Sequence, residues 1–481
     1  MLREGGPVDL HVSLAGGDDP AGQIYRQVRE AVLDGRLGRG ELLPPSRELA
    51  RRLTVSRNTV TAAYERLAGE GFISGRVGAG TYVTGEPHPA GGHGLPPAGP
   101  LRPRAIWDEL PEPPHLSPSW PYDFRTGMPD ARMFPFQQWR ALIARELRAS
   151  TVGTGTYGDP AGHAGLRDAI ARHAGLARAV RATADDVIIT NGTQQAVCLL
   201  ARVLVEPGTV VAVEDPGYPP PRHLLRSLDA QVAGVPVDGD GLIVTAIPPA
   251  ARMVYVTPSH QYPLGMPMSL PRRMELLAWA DRCGGVIIED DYDSEFRFGG
   301  RPIEPLQSLD RTGRVCYVGT FSKVMLPTLR LGFLIAPAPL HSALRKAKYV
   351  TDWHTQLPAQ AALARFISDG GLSAHIRRMR RVYAGRHQLI AAALAGDLQP
   401  WLEPVRSSAG LHMSAVSHRL TAAQLSGVAR DVRADGVAIM PLSALAAGPD
   451  QRAGLVIGYG MVHAADVGPG LALLRDALHR A

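Results

Sequence analysis

The sequence predicts two unlike folding units, a small α+β unit at the N-terminus followed by a larger α/β unit. Three observations predict this. Apolar residues recur at helical spacing up to about residue 71, a proline- and glycine-rich stretch breaks the pattern over 85–121, and after residue 122 short β-rich runs alternate with helical ones. The expected domains are 1–84, a linker over 85–121, and 122–481, the last with a smaller C-terminal lobe from about Trp353.

Composition narrows the class. With 481 residues, 45% hydrophobic and 20% charged, the chain can bury large cores in more than one domain. It offers no apolar run of signal-peptide or membrane-spanning length, so a soluble, cytoplasmic protein with no membrane partner is expected. Cys198, Cys283 and Cys316 share no metal-ligand spacing and cannot all pair, so neither a metal nor a disulfide scaffold is expected. The formal charge of +6 is spread along the chain and by itself says little about nucleic acid. The type of basic residue says more. Lys323, Lys346 and Lys348 are the only lysines, and an imine-forming amine must be one of them, because a guanidinium stays protonated.

In the first unit Ile24, Val28, Ala31 and Val32 share one face of a helix expected over Gln23 to Asp34, ending near Gly35. Ser46 is the expected cap of a second helix with Leu49, Ala50 and Leu53 inward. Ser56 is the expected cap of a third, with Val60, Ala63, Tyr64 and Leu67 inward. Phe72 and Ile73, a turn over Gly75 to Gly80, and Tyr82 with Val83 read as a two-stranded wing. A helix entering a major groove needs polar and cationic residues at its N-terminal end, and Ser56, Arg57, Asn58 and Thr61 supply them. Arg47 stands early in the preceding helix, and Arg76 and Gly78 stand where a wing would meet the minor groove or backbone. For an isolated helix pair a solvated polar face would be the better explanation. The ordered string Leu43-Pro-Pro-Ser-Arg-Glu-Leu-Ala, Val55-Ser-Arg-Asn-Thr-Val, Ala63-Tyr-Glu-Arg-Leu and Gly80-Thr-Tyr-Val resembles the winged helix-turn-helix of GntR-type regulators over residues 20 to 84. The resemblance implies double-stranded operator DNA as partner, with contacts at Arg47, Ser56, Arg57, Asn58 and Thr61.

In the second unit the expected strands are Val187 to Thr190, Val210 to Glu214, Met253 to Thr257, Val286 to Glu289, Val315 to Gly319 and Phe333 to Ala336. Helices are expected over Gln194 to Val205 and Pro271 to Cys283. In a mainly parallel sheet the chemistry gathers past the carboxyl ends of the strands, and the unusual residues lie there. Lys323 closes Gly319-Thr-Phe-Ser-Lys directly after a strand. An imine at Lys323 would leave Thr320, Ser322 and Arg330 near a phosphate. Asp290 is suited to hold a pyridine nitrogen and Tyr292 a ring oxygen. Gly192, Thr193 and Gln194 open a helix whose amides can cradle phosphate, and Tyr218 is placed to stack on a ring. Each feature alone has a plainer reading: a solvated lysine, an acidic loop facing water or a metal, a common strand-to-helix turn, a turn tyrosine.

Together with Tyr157-Gly-Asp-Pro-Ala-Gly, Glu214-Asp-Pro-Gly-Tyr, Thr257-Pro-Ser-His-Gln-Tyr-Pro and Glu289-Asp-Asp-Tyr-Asp-Ser-Glu-Phe, these segments resemble the MocR subfamily of GntR regulators. The resemblance implies a class I aminotransferase-like domain of fold type I that binds pyridoxal 5'-phosphate and serves as a sensor. It implies Lys323 for the internal aldimine, Asp290 for the ring nitrogen, Tyr292 for the phenolic oxygen and Tyr218 for stacking. It also implies a head-to-tail homodimer in which Tyr157 approaches the partner's cofactor. Two departures stand out: Tyr262 replaces the usual asparagine before Pro-x-Gly, and Val456 falls where enzymes of this fold clamp a substrate carboxylate with arginine. Slow or absent turnover is expected, with no catalytic residues assigned, unless Arg222 or Arg406 supplies the cation. The cofactor itself is then the favoured effector, ahead of an amine or amino acid. The rivals are an active aminotransferase with an appended reader and a DNA-binding protein whose second domain is only a dimerisation scaffold.

Overall fold

The computed structural model describes residues 8, 10–14, 19–76, 80–85, 102–113, 119–148, 150, 155–298, 304–407, 409–448 and 452–481. They fall in two compact units, Met1–Pro103 and Arg104–Ala481.

The first unit packs helices α1 (Pro20–Leu33), α2 (Ser46–Leu53) and α3 (Arg57–Gly69) beside strands β1 (Leu42–Leu43), β2 (Ile73–Arg76) and β3 (Gly80–Val83). Helix α1 starts earlier than its apolar face suggests. Asp19 caps it by accepting from the Gly22 amide at 2.9 Å, and Pro20, with no amide proton to lose, takes the first position. The expected cap at Ser46 is corrected: Pro45 is the N-cap and Ser46 is already helical, its hydroxyl making no capping bond. Ser56 does cap α3, accepting from the Thr59 amide at 3.1 Å. Ile24, Val28, Val32, Leu49, Val60 and Leu67 are fully buried and close the core. The wing pairs β2 with β3 from Ile73 opposite Val83 to Arg76 opposite Gly80, and β1 adds a third strand along β3. A two-residue strand carries no alternation, so β1 has no signature in the sequence.

The second unit is built on an eight-stranded sheet: β4 (Val187–Thr190), β5 (Val210–Asp215), β6 (Gln231–Asp238), β7 (Gly241–Leu242), β8 (Ala251–Val256), β9 (Val286–Asp291), β10 (Val315–Thr320) and β11 (Gly332–Ile335). Their order is β4-β11-β10-β9-β8-β5-β6-β7. The centre is parallel, while β11 runs antiparallel to both β4 and β10. All six expected strands are present; β6, with Gly234 and Pro236 weakening its pattern, was not among them. The C-terminal lobe carries helices Leu357–Ser368 and Gly371–Ala395 and a sheet of β12 (Glu403–Pro404), β13 (His412–Val416), β14 (Met440–Pro441) and β15 (Gly454–Gly458), ordered β12-β13-β15-β14. The chain at Tyr122–Asp123 pairs in parallel with Val437–Ala438, so this segment joins the late lobe. Within the span expected as linker, Ile106–Glu109 forms a helical turn, with Glu109 paired to Arg226 at 2.9 Å and Arg104 to Asp229. No helix among the described residues is long and apolar enough to cross a membrane.

Candidate functional site

The strand ends of the large sheet bring the expected residues of the second unit together around Lys323. Its Nζ donates to the Gly127 carbonyl at 2.7 Å. Burial pushes the lysine pKa down, against the opposing pull of Asp293 and Asp290. Gly127 has φ +70°, and a Cβ there would stand 2.9 Å from Nζ, so glycine is what admits the amine. The other lysines are placed otherwise: Lys346 is exposed, and Lys348 is spent on Asp352 at 2.5 Å.

Asp290 is the penultimate residue of strand β9, after the apolar Val286, Ile287 and Ile288. Its Oδ2 accepts from the Tyr255 hydroxyl at 2.5 Å, while Oδ1 is buried and has no hydrogen-bond partner among the described residues. Burial pushes this carboxyl up to about 7. Beside it, Glu214 accepts from the Thr257 amide at 3.1 Å and hydroxyl at 2.6 Å, and burial pushes it too up to about 7. Asp291 behaves differently. Burial works against its charge, yet Arg178 at 2.8 Å, with hydroxyls of Ser294 and Tyr317, holds it below the usual carboxylate range.

At the other end Gly192, with φ +83°, is the N-cap of helix α4 (Thr193–Leu204), so the amides of Thr193 and Gln194 head the helix. The side-chain oxygen of Gln194 is buried without a partner among the described residues. Arg330 adopts a left-handed φ of +52° and donates to the Asn191 carbonyl at 2.5 Å. A Cβ on Gly192 would lie 3.3 Å from its guanidinium. Thr320 and Ser322 are buried, their hydroxyls 3.0 Å apart.

An aromatic wall links these ends. Tyr218 stands edge-on to Tyr262 with ring centroids 5.4 Å apart, and Tyr262 edge-on to Tyr292 at 6.0 Å. The Tyr262 hydroxyl lies 3.0 Å from that of Thr126, which ties down the segment carrying Gly127. The Tyr292 hydroxyl lies 3.0 Å from His260 Nδ1, which is also 2.9 Å from Asp293. Tyr255, His260, Asp293 and His412 escaped sequence reasoning. His260 and Asp293 lie inside motifs quoted for other residues, whereas His412 comes from a distant strand with no local signal. Val456 is fully buried opposite Ser414 and packs in one apolar cluster with Tyr262 and Tyr292. Arg222 is half-buried near Asp215 and Arg226, and Arg406 is exposed. Tyr157 is 73% exposed and stacks on Trp353 at 4.3 Å.

In the first unit Arg47 is exposed on α2, and Arg57 and Asn58 are exposed in the first turn of α3. Thr61 is half-buried one turn on. Ser56 is exposed, although its oxygen also caps the helix. Gly78 and the side chain of Arg76 lie outside the described residues.

A model described as bacterial regulatory proteins of the gntR family matches residues 20–83, and one described as aminotransferase class I and II matches residues 126–453. Over both, the chain is 36% identical to the probable rhizopine catabolism regulatory protein MocR of Rhizobium meliloti, covering 95% of this chain and 93% of that one. The chain belongs to the MocR-type GntR family of transcription regulators. This regulator is also 34% identical to the pyridoxine biosynthesis transcriptional regulator PdxR of Corynebacterium glutamicum, over 81% of this chain and 82% of that one. Its second unit shares the fold type I of pyridoxal-phosphate-dependent aminotransferases. Against LysN, the α-aminoadipate aminotransferase of Thermus thermophilus, the TM-score is 0.68 at 28% identity, covering 74% of this chain and 92% of the other.

Proposed function

We propose that the regulator is a cytoplasmic homodimer whose reader, residues 1–84, binds double-stranded operator DNA and is joined through 85–121 to a sensor, 122–481, that takes up pyridoxal phosphate on Lys323. The observation that carries this reading is the unpartnered Oδ1 of Asp290, buried at the end of an apolar strand beside the only lysine in the pocket. An acceptor buried without a donor costs about 1–3 kcal/mol, so the site is incomplete by itself, and a protonated pyridine nitrogen would complete it. The remaining donors fit the same group. The amides of Thr193 and Gln194, the Arg330 guanidinium beside Gly192, and the hydroxyls of Thr320 and Ser322 suit a phosphate. Tyr218 suits the ring face and Tyr292 its oxygen.

When bound, the cofactor supplies an aldehyde that condenses with primary amines. Lys323 is suited to hold it, since burial favours its neutral form. Sensing is favoured over turnover because Val456 stands where a carboxylate clamp belongs, so the sensor responds first to uptake of the cofactor and, once loaded, can take an amine effector. Arg47, Ser56, Arg57, Asn58 and Thr61, with Arg76 and Gly78 of the wing, are assigned to DNA. Tyr157, exposed on the sensor, is assigned to the partner subunit's pocket in a head-to-tail dimer.

The test is operator binding by the protein with and without pyridoxal phosphate, coupled to borohydride reduction and peptide mapping. A single label on Lys323 and DNA binding that changes on loading are expected. A label on Lys346 or Lys348, or DNA binding indifferent to loading, overturns the reading.

A further inference from the structure

Behind the aromatic wall of the Lys323 site lies an acceptor that the proposed cofactor does not use. His412 on β13 is fully buried. Its Nε2–H donates to the Pro263 carbonyl at 2.9 Å, which the Ser414 hydroxyl also meets at 2.7 Å. That bond fixes the tautomer and leaves a lone pair on Nδ1, for which there is no partner among the described residues. Burial, with His260 close by, pushes the imidazole down to about 3, so it stays a neutral acceptor.

The neighbours of His412 accept as well. Nitrogen and oxygen atoms of His260, Asp293 and His412 come within 4.8 Å of one another. Asp293 takes His260 Nδ1 at 2.9 Å and the Leu411 amide at 3.1 Å. The cluster sits against the aromatic wall, with the His412 ring centroid 4.8 Å from that of His260 and 5.4 Å from that of Tyr262. On the facing strand the residue opposite Ser414 is Val456, closed in by Tyr262 and Tyr292. A ligand reaching this end meets lone pairs, a carboxylate and apolar carbon.

We infer that the small molecule recognised by the loaded sensor is a primary amine whose other end is a hydrogen-bond donor, a hydroxyl or second amine, received by His412 Nδ1 beside Asp293, and that a carboxylate there is rejected. This rests on the function proposed above, whose aldehyde sets the primary-amine end. The discrimination is electrostatic: a hydroxyl or ammonium satisfies the stranded lone pair, whereas a carboxylate would face that lone pair and the Asp293 carboxylate. A metal suits the cluster less well. A metal needs several unspent lone pairs, but His260 Nδ1 faces both Asp293 and Tyr292 and its Nε2 lies 3.2 Å from Ser407, which leaves His412 and Asp293, two ligands where a structural or catalytic site takes three or four.

The test uses the full-length, cofactor-loaded protein and operator DNA. Two matched series are titrated, ethanolamine, ethylenediamine and glycine, then aminobutanol, putrescine and γ-aminobutyrate, with cofactor absorbance and the DNA-binding midpoint as readouts. In at least one series the alcohol or diamine is expected to act at a concentration about tenfold or more below that of the amino acid, as a site built for a donor discriminates. His412→Phe, which keeps the ring's bulk, should erase that ratio, and His412→Asn, which keeps an acceptor near Nδ1, should retain part of it. The wild-type ratio tests the inference even if a variant fails to fold. Amino acids acting as well as or better than their partners, indifference to both series, or discrimination that survives His412→Phe would each overturn it. So would zinc binding that His412→Phe abolishes and amines do not displace. Failure of Lys323 to load defeats the proposed function, whereas a loaded protein that prefers carboxylates defeats this inference alone.

Discussion

The two halves of this regulator present their working residues in opposite ways. On the reader, Arg47, Arg57 and Asn58 are exposed side chains on helices held by an apolar core beneath them. In the sensor, Asp290 is buried and Lys323 half-buried, Arg330 and Gly192 occupy left-handed backbone, and Asp290 and Gln194 carry polar atoms without partners among the described residues. A surface that meets a highly charged polymer can be built from solvated groups at little cost to the fold. A pocket that must hold a small molecule by its polar atoms has to strand those atoms first, and its stability is tied to its ligand. Substitutions should therefore cost stability and function together in the sensor and separate them in the reader.

The largest expected effect is at Asp290, in the apo-protein. Its folded pKa of about 7 lies above the ordinary 3.8, so its contribution to stability is fully present below pH about 4 and is lost as pH rises through about 7. That loss amounts to at most about 4 kcal/mol. In Asp290→Asn this part of the pH dependence should vanish, and cofactor affinity should fall as well. Chemical denaturation at the two ends of the pH window measures the first, and spectral titration the second. An unchanged pH dependence would mean that the carboxyl is better solvated than its burial implies.

Next comes Gly332→Ala. A Cβ there would stand 2.7 Å from the Gly192 Cα and 3.0 Å from the Gly319 carbonyl oxygen, both backbone, so the phosphate end must shift. A cost of about 1–3 kcal/mol in apo stability, with weaker cofactor uptake, is expected. Thermal melts with and without cofactor check it, and a variant that loads normally would break the tie between strain and function. Arg57→Ala should do the reverse. Operator affinity at fixed salt should fall by about 1–3 kcal/mol, while stability stays within about 0.5 kcal/mol, as for most exposed positions. Loss of both in this variant would collapse the contrast.

The same contrast explains what was legible in the sequence. The strands β4, β5 and β8 to β11 show as apolar runs because both faces are covered, and the lysine, Asp290 and Gly192 segments show because each directly follows such a run. Local rules also found the cap at Ser56. They failed at Ser46, where Pro45 takes the cap position and moves the helix start by one residue. Most of what escaped is long-range. The pairing of Tyr122–Asp123 with Val437–Ala438, the contact of Lys323 with Gly127, and the arrival of His412 beside His260 depend on segments far apart in the chain, which no periodicity records.

The smallest expected effect sits where the two behaviours overlap. Ser56 caps α3 through its hydroxyl and also stands exposed at the end of the helix assigned to the groove. Ser56→Ala should cost about 1 kcal/mol of stability through the lost cap, and any loss of operator affinity then mixes fraying of the helix with loss of a contact. Ser56→Asp separates them. Aspartate caps about as well as serine, and its charge favours the helix N-terminus, so stability should be kept. The same charge would face phosphates, so operator affinity should fall, and by more at low salt than at high salt. Denaturation curves and salt-dependent DNA titrations of the two variants give four numbers. If Ser56→Asp keeps its operator affinity at low salt, the N-terminus of α3 points away from DNA and the reader's docking face has to be sought on another side of the unit.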